Sequence, residues 1–230
     1  MSISVDTVYQ RVLGILNKEQ RGFLPPQEFN LYANQVQEDI FEQYFYDINQ
    51  FLRVPGNDTE YSDMIDNLNE KIDIFQTEAT LAYSDPYYLI PSTVYRLGTV
   101  IYNNKEVELI QKNELLYILN SPISSPSNVR PIFVRNGSGI KVYGTDIFDG
   151  TEVVSATYIR KPAKVVWGYT EAFDTPLYNA SASTDFELHI SEEPDVVVKI
   201  LALAGLEIKD LSLYQIAAQE DNKNIQQEKS

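Results

Sequence analysis

The sequence predicts an α+β chain: a helical bundle built from N- and C-terminal helices, an inserted antiparallel β-sandwich or barrel, and an extended C-terminal tail. Three observations predict it. Residues 5 to 75 place apolar side chains at spacings of three and four, the period of a helix. From Thr77 to Tyr169, short runs rich in Val, Ile, Thr and Tyr alternate with turn residues, as strands do. After Ser191 a run of Val, Ile, Leu and Ala is apolar nearly all round, and such a helix must be covered on several sides. The domains so drawn are residues 1–76 (helical), 77–170 (inserted β-domain), 171–209 (return segment and closing helix) and 210–230 (C-terminal helix and tail).

Taken in order, Val5, Val8, Tyr9, Val12, Leu13 and Leu16 form one face of a first helix. Pro26 or Gln27 opens a second and longer one, since a first-turn proline lacks only an N–H that has no partner there. Its apolar stripe is Phe29, Tyr32, Ala33, Val36, Ile40, Tyr44 and Ile48, and Asn30, Asn34, Gln37 and Glu38 make the opposite, polar side. A turn at Pro55-Gly56-Asn57-Asp58 precedes a third helix carrying Tyr61, Met64, Ile65, Leu68, Ile72 and Phe75 on one face. Strands are expected near 78–82, 87–90, 95–102, 105–110, 132–135, 140–143, 153–160 and 165–169. Asn103-Asn104 and Asn136-Gly137-Ser138-Gly139 read as hairpin turns. Asn113 caps a short helix to Leu119, Ser121–Asn128 is a Ser/Pro-rich loop, and 170–185 reads as irregular. Ser191 is the expected N-cap of the closing helix, with Glu192, Glu193 and Asp195 favoured by its dipole. A last helix carries Leu213, Ile216 and Ala217, and beyond Gln219 the polar tail has the single anchor Ile225.

Composition narrows the function. The chain has 230 residues, no cysteine and one histidine, so disulfides, thiol catalysis and zinc–sulfur sites drop out, and any metal would be an oxygen-ligated cation. No basic, apolar leader and no long apolar run is present, which predicts folding in the cytoplasm and no membrane partner. A net charge of −15 argues against a surface that grips a phosphate backbone.

Candidate sites are correspondingly few. His189 lies on an extended segment with no base partner at a recognisable spacing, and reads as structural. Asp146-Ile147-Phe148-Asp149-Gly150 lacks calcium-loop spacing and reads as a turn. Arg160, Lys161 and Lys164, followed by Trp167 and Tyr169, form a basic-aromatic contact patch, read here as a strand end and subunit contact. Val197, Ile200, Leu201 and Ala204, with Val36, Ile40 and Tyr44, are the expected bundle core and subunit contact. No cofactor, metal or catalytic residue is assigned, and the chain is expected not to be an enzyme. A carbohydrate- or receptor-binding module using Trp167, Tyr169 and Tyr178 is the alternative from a different class. A glycan hydrolase would need a carboxylate pair, and nothing singles one out.

Two stretches together carry a resemblance. One is Asn17-Lys18-Glu19-Gln20-Arg21-Gly22-Phe23-Leu24-Pro25-Pro26-Gln27-Glu28-Phe29-Asn30, continued by Phe41-Glu42-Gln43-Tyr44-Phe45. The other runs from Tyr158-Ile159-Arg160-Lys161-Pro162 through Trp167 to Asp185-Phe186-Glu187-Leu188-His189 and Ser191-Glu192-Glu193. The pairing resembles head-to-tail connector, or tail adaptor, ring proteins of short-tailed, crAss-like phages of Bacteroidetes. The resemblance implies a virion structural protein, assembled in the host cytoplasm into a ring of identical subunits, twelvefold, below the portal protein. It implies contacts with an adjacent tail ring or hub protein and a channel through which DNA passes without specific binding. It also implies a C-terminal segment that docks on the portal, for which Leu213, Tyr214, Ile216, Ala217 and Ile225 are the residues expected to make contact.

Overall fold

The computed structural model describes residues 2–18, 24–51, 59–145, 150–172 and 175–207, with positions 219 and 223 besides. In chain order the helices are α1 (Val5–Lys18), α2 (Pro26–Phe51), α3 (Thr59–Asp73), α4 (Leu115–Leu119) and α5 (Glu193–Glu207). The strands are β1 (Gln76–Thr80), β2 (Ala82–Ser84), β3 (Tyr87–Leu89), β4 (Val94–Tyr102), β5 (Lys105–Leu109), β6 (Ile132–Asn136), β7 (Gly139–Tyr143), β8 (Val154–Arg160), β9 (Tyr169–Ala172) and β10 (Thr175–Tyr178). They fall into two compact units, Met1–Ile74 with Pro162–Ser230, and Phe75–Lys161.

In the first unit α5 packs on α1 and α2, and α3 packs on α2. Val196, Val197, Ile200, Leu201 and Ala204 of α5 are buried, as are Val8, Val12 and Leu16 of α1 and Phe29, Val36, Ile40 and Tyr44 of α2. The segment before α1 is tied down from far along the chain. Ile3 and Phe186 form an antiparallel bridge, and the Asp185 carboxylate accepts the Val5 N–H at 2.9 Å, satisfying a first-turn donor that has no partner within the helix.

The second unit is one sheet in the order β1-β8-β4-β5-β6-β7-β3-β2. Its two edge strands, β1 and β2, are consecutive in the chain and separated by Leu81 alone. One residue spans only about 3.5 Å per peptide, so the edges must come together and the sheet curls into a nearly closed barrel. Leu81 extends the β1–β8 ladder, its N–H donating to the Val154 carbonyl at 2.8 Å. Inside lie Tyr88, Val100, Tyr102, Val107, Phe133, Ile140, Val142, Val154 and Ala156. In β8 this interior set follows the two-residue period, with Val154, Ala156 and Tyr158 buried.

This corrects the expected fold class. Among the described residues the largest assembly of elements is the eight-stranded, nearly closed barrel-like sheet, so the helical bundle does not dominate the fold. The sheet is also not a sandwich and not wholly antiparallel, because β5 and β6 run parallel. A parallel pair needs a long crossover, and residues 110–131 supply it, with α4 at its centre. Asn113 does not cap α4. Glu114 holds the N-cap position without a side-chain hydrogen bond. Residues 170–185, expected to be irregular, include the β9–β10 hairpin. The Asn103-Asn104 turn is as expected, both residues having positive φ (49° and 57°), which suits a tight hairpin. The expected turns at Pro55–Asp58 and Asp146–Asp149 lie outside the described residues.

Candidate assembly surface and the clasp that supports the fold

The polar side of α2, which reads as a solvated face, is the track on which the chain returns from the barrel. Asn30, Asn34 and Gln37 meet alternate residues of an extended run, Trp167, Val165 and Ala163. The Asn30 side chain accepts the Trp167 N–H at 2.7 Å and donates to its carbonyl at 3.4 Å. Asn34 does the same for Val165, at 2.9 and 2.8 Å. Gln37 donates to the Ala163 carbonyl at 2.7 Å and accepts the Glu187 N–H at 2.9 Å, while the Glu187 carboxylate accepts the Ala163 N–H at 2.7 Å. Three amides thus act as a strand edge for a chain running antiparallel to the helix. The repeats nearly match: seven residues of helix rise about 10 Å and four of strand about 13 Å. The residue at the far end, where the mismatch has accumulated, is the longer glutamine. On its other edge the run pairs at Val166 with Thr184. Residues 165–169, expected as a strand of the inserted domain, are therefore held in the helical unit by side chains.

Trp167 anchors this clasp. Its side chain is only 2% exposed, and its Nε1 donates to the Asp6 carboxylate at 3.0 Å. Tyr9, Tyr169 and Tyr178 surround the indole at ring-centre distances of 4.4, 5.9 and 5.7 Å, and Phe29 extends the cluster through Tyr9. Gly168 follows because a Cβ there would lie 2.5 Å from the Ala182 main chain. Trp167 is thus a core residue and not the exposed platform that a basic-aromatic contact patch or a sugar-binding face requires. The patch is also divided: Arg160, which ends β8, and Lys161 after it belong to the barrel unit, while Lys164, Trp167 and Tyr169 belong to the helical unit.

His189 has a structural part. Its Nδ1 accepts the Ser191 N–H at 3.3 Å and lies 2.8 Å from the Ser191 hydroxyl, capping a 3-10 turn at Ile190–Glu192 that runs into α5. Ser191, expected as the N-cap, is inside that turn. The acidic residues beside it have partners as well as a favourable helix dipole: Glu192 pairs with Lys71 at 2.6 Å and Glu193 with Arg11 at 2.8 Å. Among the described residues no group of three or more His, Asp or Glu side chains is placed to hold a metal ion. A cleft of about 130 Å³ between β4, β5 and β6, lined by Val100, Val107, Phe133, Glu106 and Arg135, is below the size of ordinary ligand pockets.

The feature with an unmet physical requirement is the crossover between β5 and β6. Its inner side is ordinary core: Leu115 and Ile118 of α4 pack on Ile110, Ile132 and Val134, covering the outer face of β6. Its outer side is an apolar lobe. Leu116, Tyr117, Ile123 and Val129 are 69, 81, 94 and 73% exposed. Sequence reasoning passed over this stretch as a short helix and a loop. Its signal was the connection itself, too long for a hairpin and too apolar for a solvated loop.

The remaining expected residues are placed as follows. Val197, Ile200, Leu201, Ala204, Val36, Ile40 and Tyr44 are buried within the helical unit. Leu213, Tyr214, Ile216, Ala217 and Ile225 lie outside the described residues. Neither a protein-family model nor a curated protein matches the chain.

Proposed function

We propose that the chain is a virion structural protein: a subunit that closes into a ring in the head-to-tail connector of a short-tailed phage, bridges the portal protein to the rest of the tail and lines the DNA channel. The observation that carries this reading is the apolar lobe on the crossover. Single exposed apolar residues are ordinary, but several large ones exposed along one connection of a folded subunit mark a surface made for another protein. Fully burying three such side chains is worth roughly 5–9 kcal/mol of gross transfer free energy, of the order that association costs in lost freedom.

The two stretches that carry the family resemblance lend support of a different kind. Asn30 of the first bonds Trp167 of the second, and Tyr169, just beyond Trp167, accepts from Gln27 at 3.4 Å. The resembling residues hold one another in the fold, which suits a structural subunit. Ring closure follows if one face of the subunit binds a different face of the next, and like charge lets DNA pass through an acidic channel without adhering.

Electron microscopy of the purified chain, alone and mixed with the portal protein, tests the proposal. A ring in either sample is the expected result, and deletion of residues 210–230 should leave the subunit folded while abolishing its attachment to the portal. A chain that remains a monomer in both samples overturns the reading.

A further inference from the structure

We infer that the occupant of the lobe is a second copy of this chain, met through its barrel unit, and that charge keeps the helical units out of that contact. The inference rests on the ring reading and names the partner of the same surface. It is carried by a separate observation, the partition of charge between the units. Between Phe75 and Lys161 the sequence has eight acidic and eight basic residues, so the whole of the −15 belongs to the helical unit. Two helical units brought together repel, whereas two barrel units do not.

The acidic side chains of the helical unit already act on one another. Asp39 of α2 is raised above its ordinary value by burial; Lys199 opposes this, and Glu42 and Glu38 add smaller upward pushes. The lobe offers the reverse environment. From Ile110 to Val129 its only charged residues are Lys112 and Glu114, and at its base Arg130 makes two hydrogen bonds to the Glu108 carboxylate, at 2.8 and 3.1 Å. With one positive and one negative side chain, and the charges at its base paired with each other, the lobe has no excess charge to complement a basic or acidic partner, and no cation excess for a nucleic acid or an anionic lipid surface. It selects an apolar, net-neutral surface. The barrel unit of another copy has that character.

The test uses the full chain with Tyr117→Asp and Ile123→Asp at the most exposed lobe positions, and Leu31→Asp, exposed on α2 in the helical unit, as the control. Circular dichroism and thermal unfolding first establish that each variant is folded; the exposed positions predict unchanged spectra. Sedimentation velocity over a concentration series then reads association. The expected result is assembly of the parent and of the Leu31 variant, with at least a roughly tenfold weaker association for both lobe variants. Lobe variants that assemble like the parent overturn the inference and leave the ring reading standing. A parent that is monomeric alone but binds portal protein through the lobe overturns it as well, assigning the lobe to a different chain. A parent that forms no assembly under either condition overturns both.

Discussion

Tyr9 shows how one side chain ties separate segments together. It lies on α1, its ring is 4.7 Å from Phe29 and 4.4 Å from Trp167, and its hydroxyl donates to the Leu24 carbonyl at 3.0 Å, just ahead of α2. Burial pushes its pKa from 10 up to about 12, because the phenolate would lose its hydration among apolar rings. The unfolded chain releases this proton near pH 10 and the folded chain near pH 12. The stabilising contribution is therefore complete below pH 10 and is lost as pH rises toward 12. Urea midpoints measured across pH 8–12 should fall in that window for the parent, and less steeply for Tyr9→Phe. The substitution should also cost about 1 kcal/mol at neutral pH through the lost hydrogen bond. Identical slopes in the two proteins would show that Tyr9 titrates as it does in the unfolded chain.

Among the elements, α2 has two interiors to serve. Its apolar stripe faces α5, and its amide side holds the run 163–167. Of the amides, Asn34 makes the closest two-way pairing, accepting and donating at 2.9 and 2.8 Å to a residue whose side chain is fully buried. Asn34→Ala strands both main-chain groups of Val165, and a loss of about 2–3 kcal/mol is expected. Asn34→Asp keeps the acceptor and loses the donor, so it should fall between the two. Hydrogen exchange makes the check local: the Val165 amide should lose protection in Asn34→Ala before the α5 amides do. Uniform loss across the unit would mean that the clasp has no separate stability.

These elements were unequally legible in the sequence. The stripe of α2 shows as periodicity, because burial against a neighbouring helix leaves a 3.6-residue pattern whatever the neighbour is, and α5 shows as a run apolar nearly all round, because it is covered on several sides. The clasp does not, since Asn30, Asn34 and Gln37 have the spacing and polarity of a solvated face, and only the position of residues 163–167 reveals their partners. The strands of the barrel were readable one by one, and the turn at Asn103-Asn104 by its residue types. The parallel pairing of β5 and β6 was not, because strand direction is set by where the crossover delivers the chain. Trp167, a contact residue by sequence order beside Arg160 and Lys161, is core because the chain turns into the helical unit at Pro162.

At the scale of the whole molecule, the division of charge makes a prediction that a simple ion-paired assembly would not. Attraction between copies through the lobe is apolar and weakly sensitive to salt, while repulsion between helical units that together carry the −15 of each copy is screened. The screening length falls from about 30 Å at 10 mM to 8 Å at 150 mM salt, which removes repulsion across any separation larger than a side chain or two. Association should therefore strengthen as sodium chloride is raised from 10 to 300 mM, and thermal stability should rise with it as the crowded carboxylates of α2 are relieved. Sedimentation and thermal unfolding across a salt series measure both. Dissociation on adding salt would place ion pairs at the contact, and the exposed Glu108–Arg130 pair would then have to exchange partners between copies. Stronger association together with higher stability is the joint outcome that an apolar contact on a neutral barrel unit, opposed by repulsion between acidic helical units, requires.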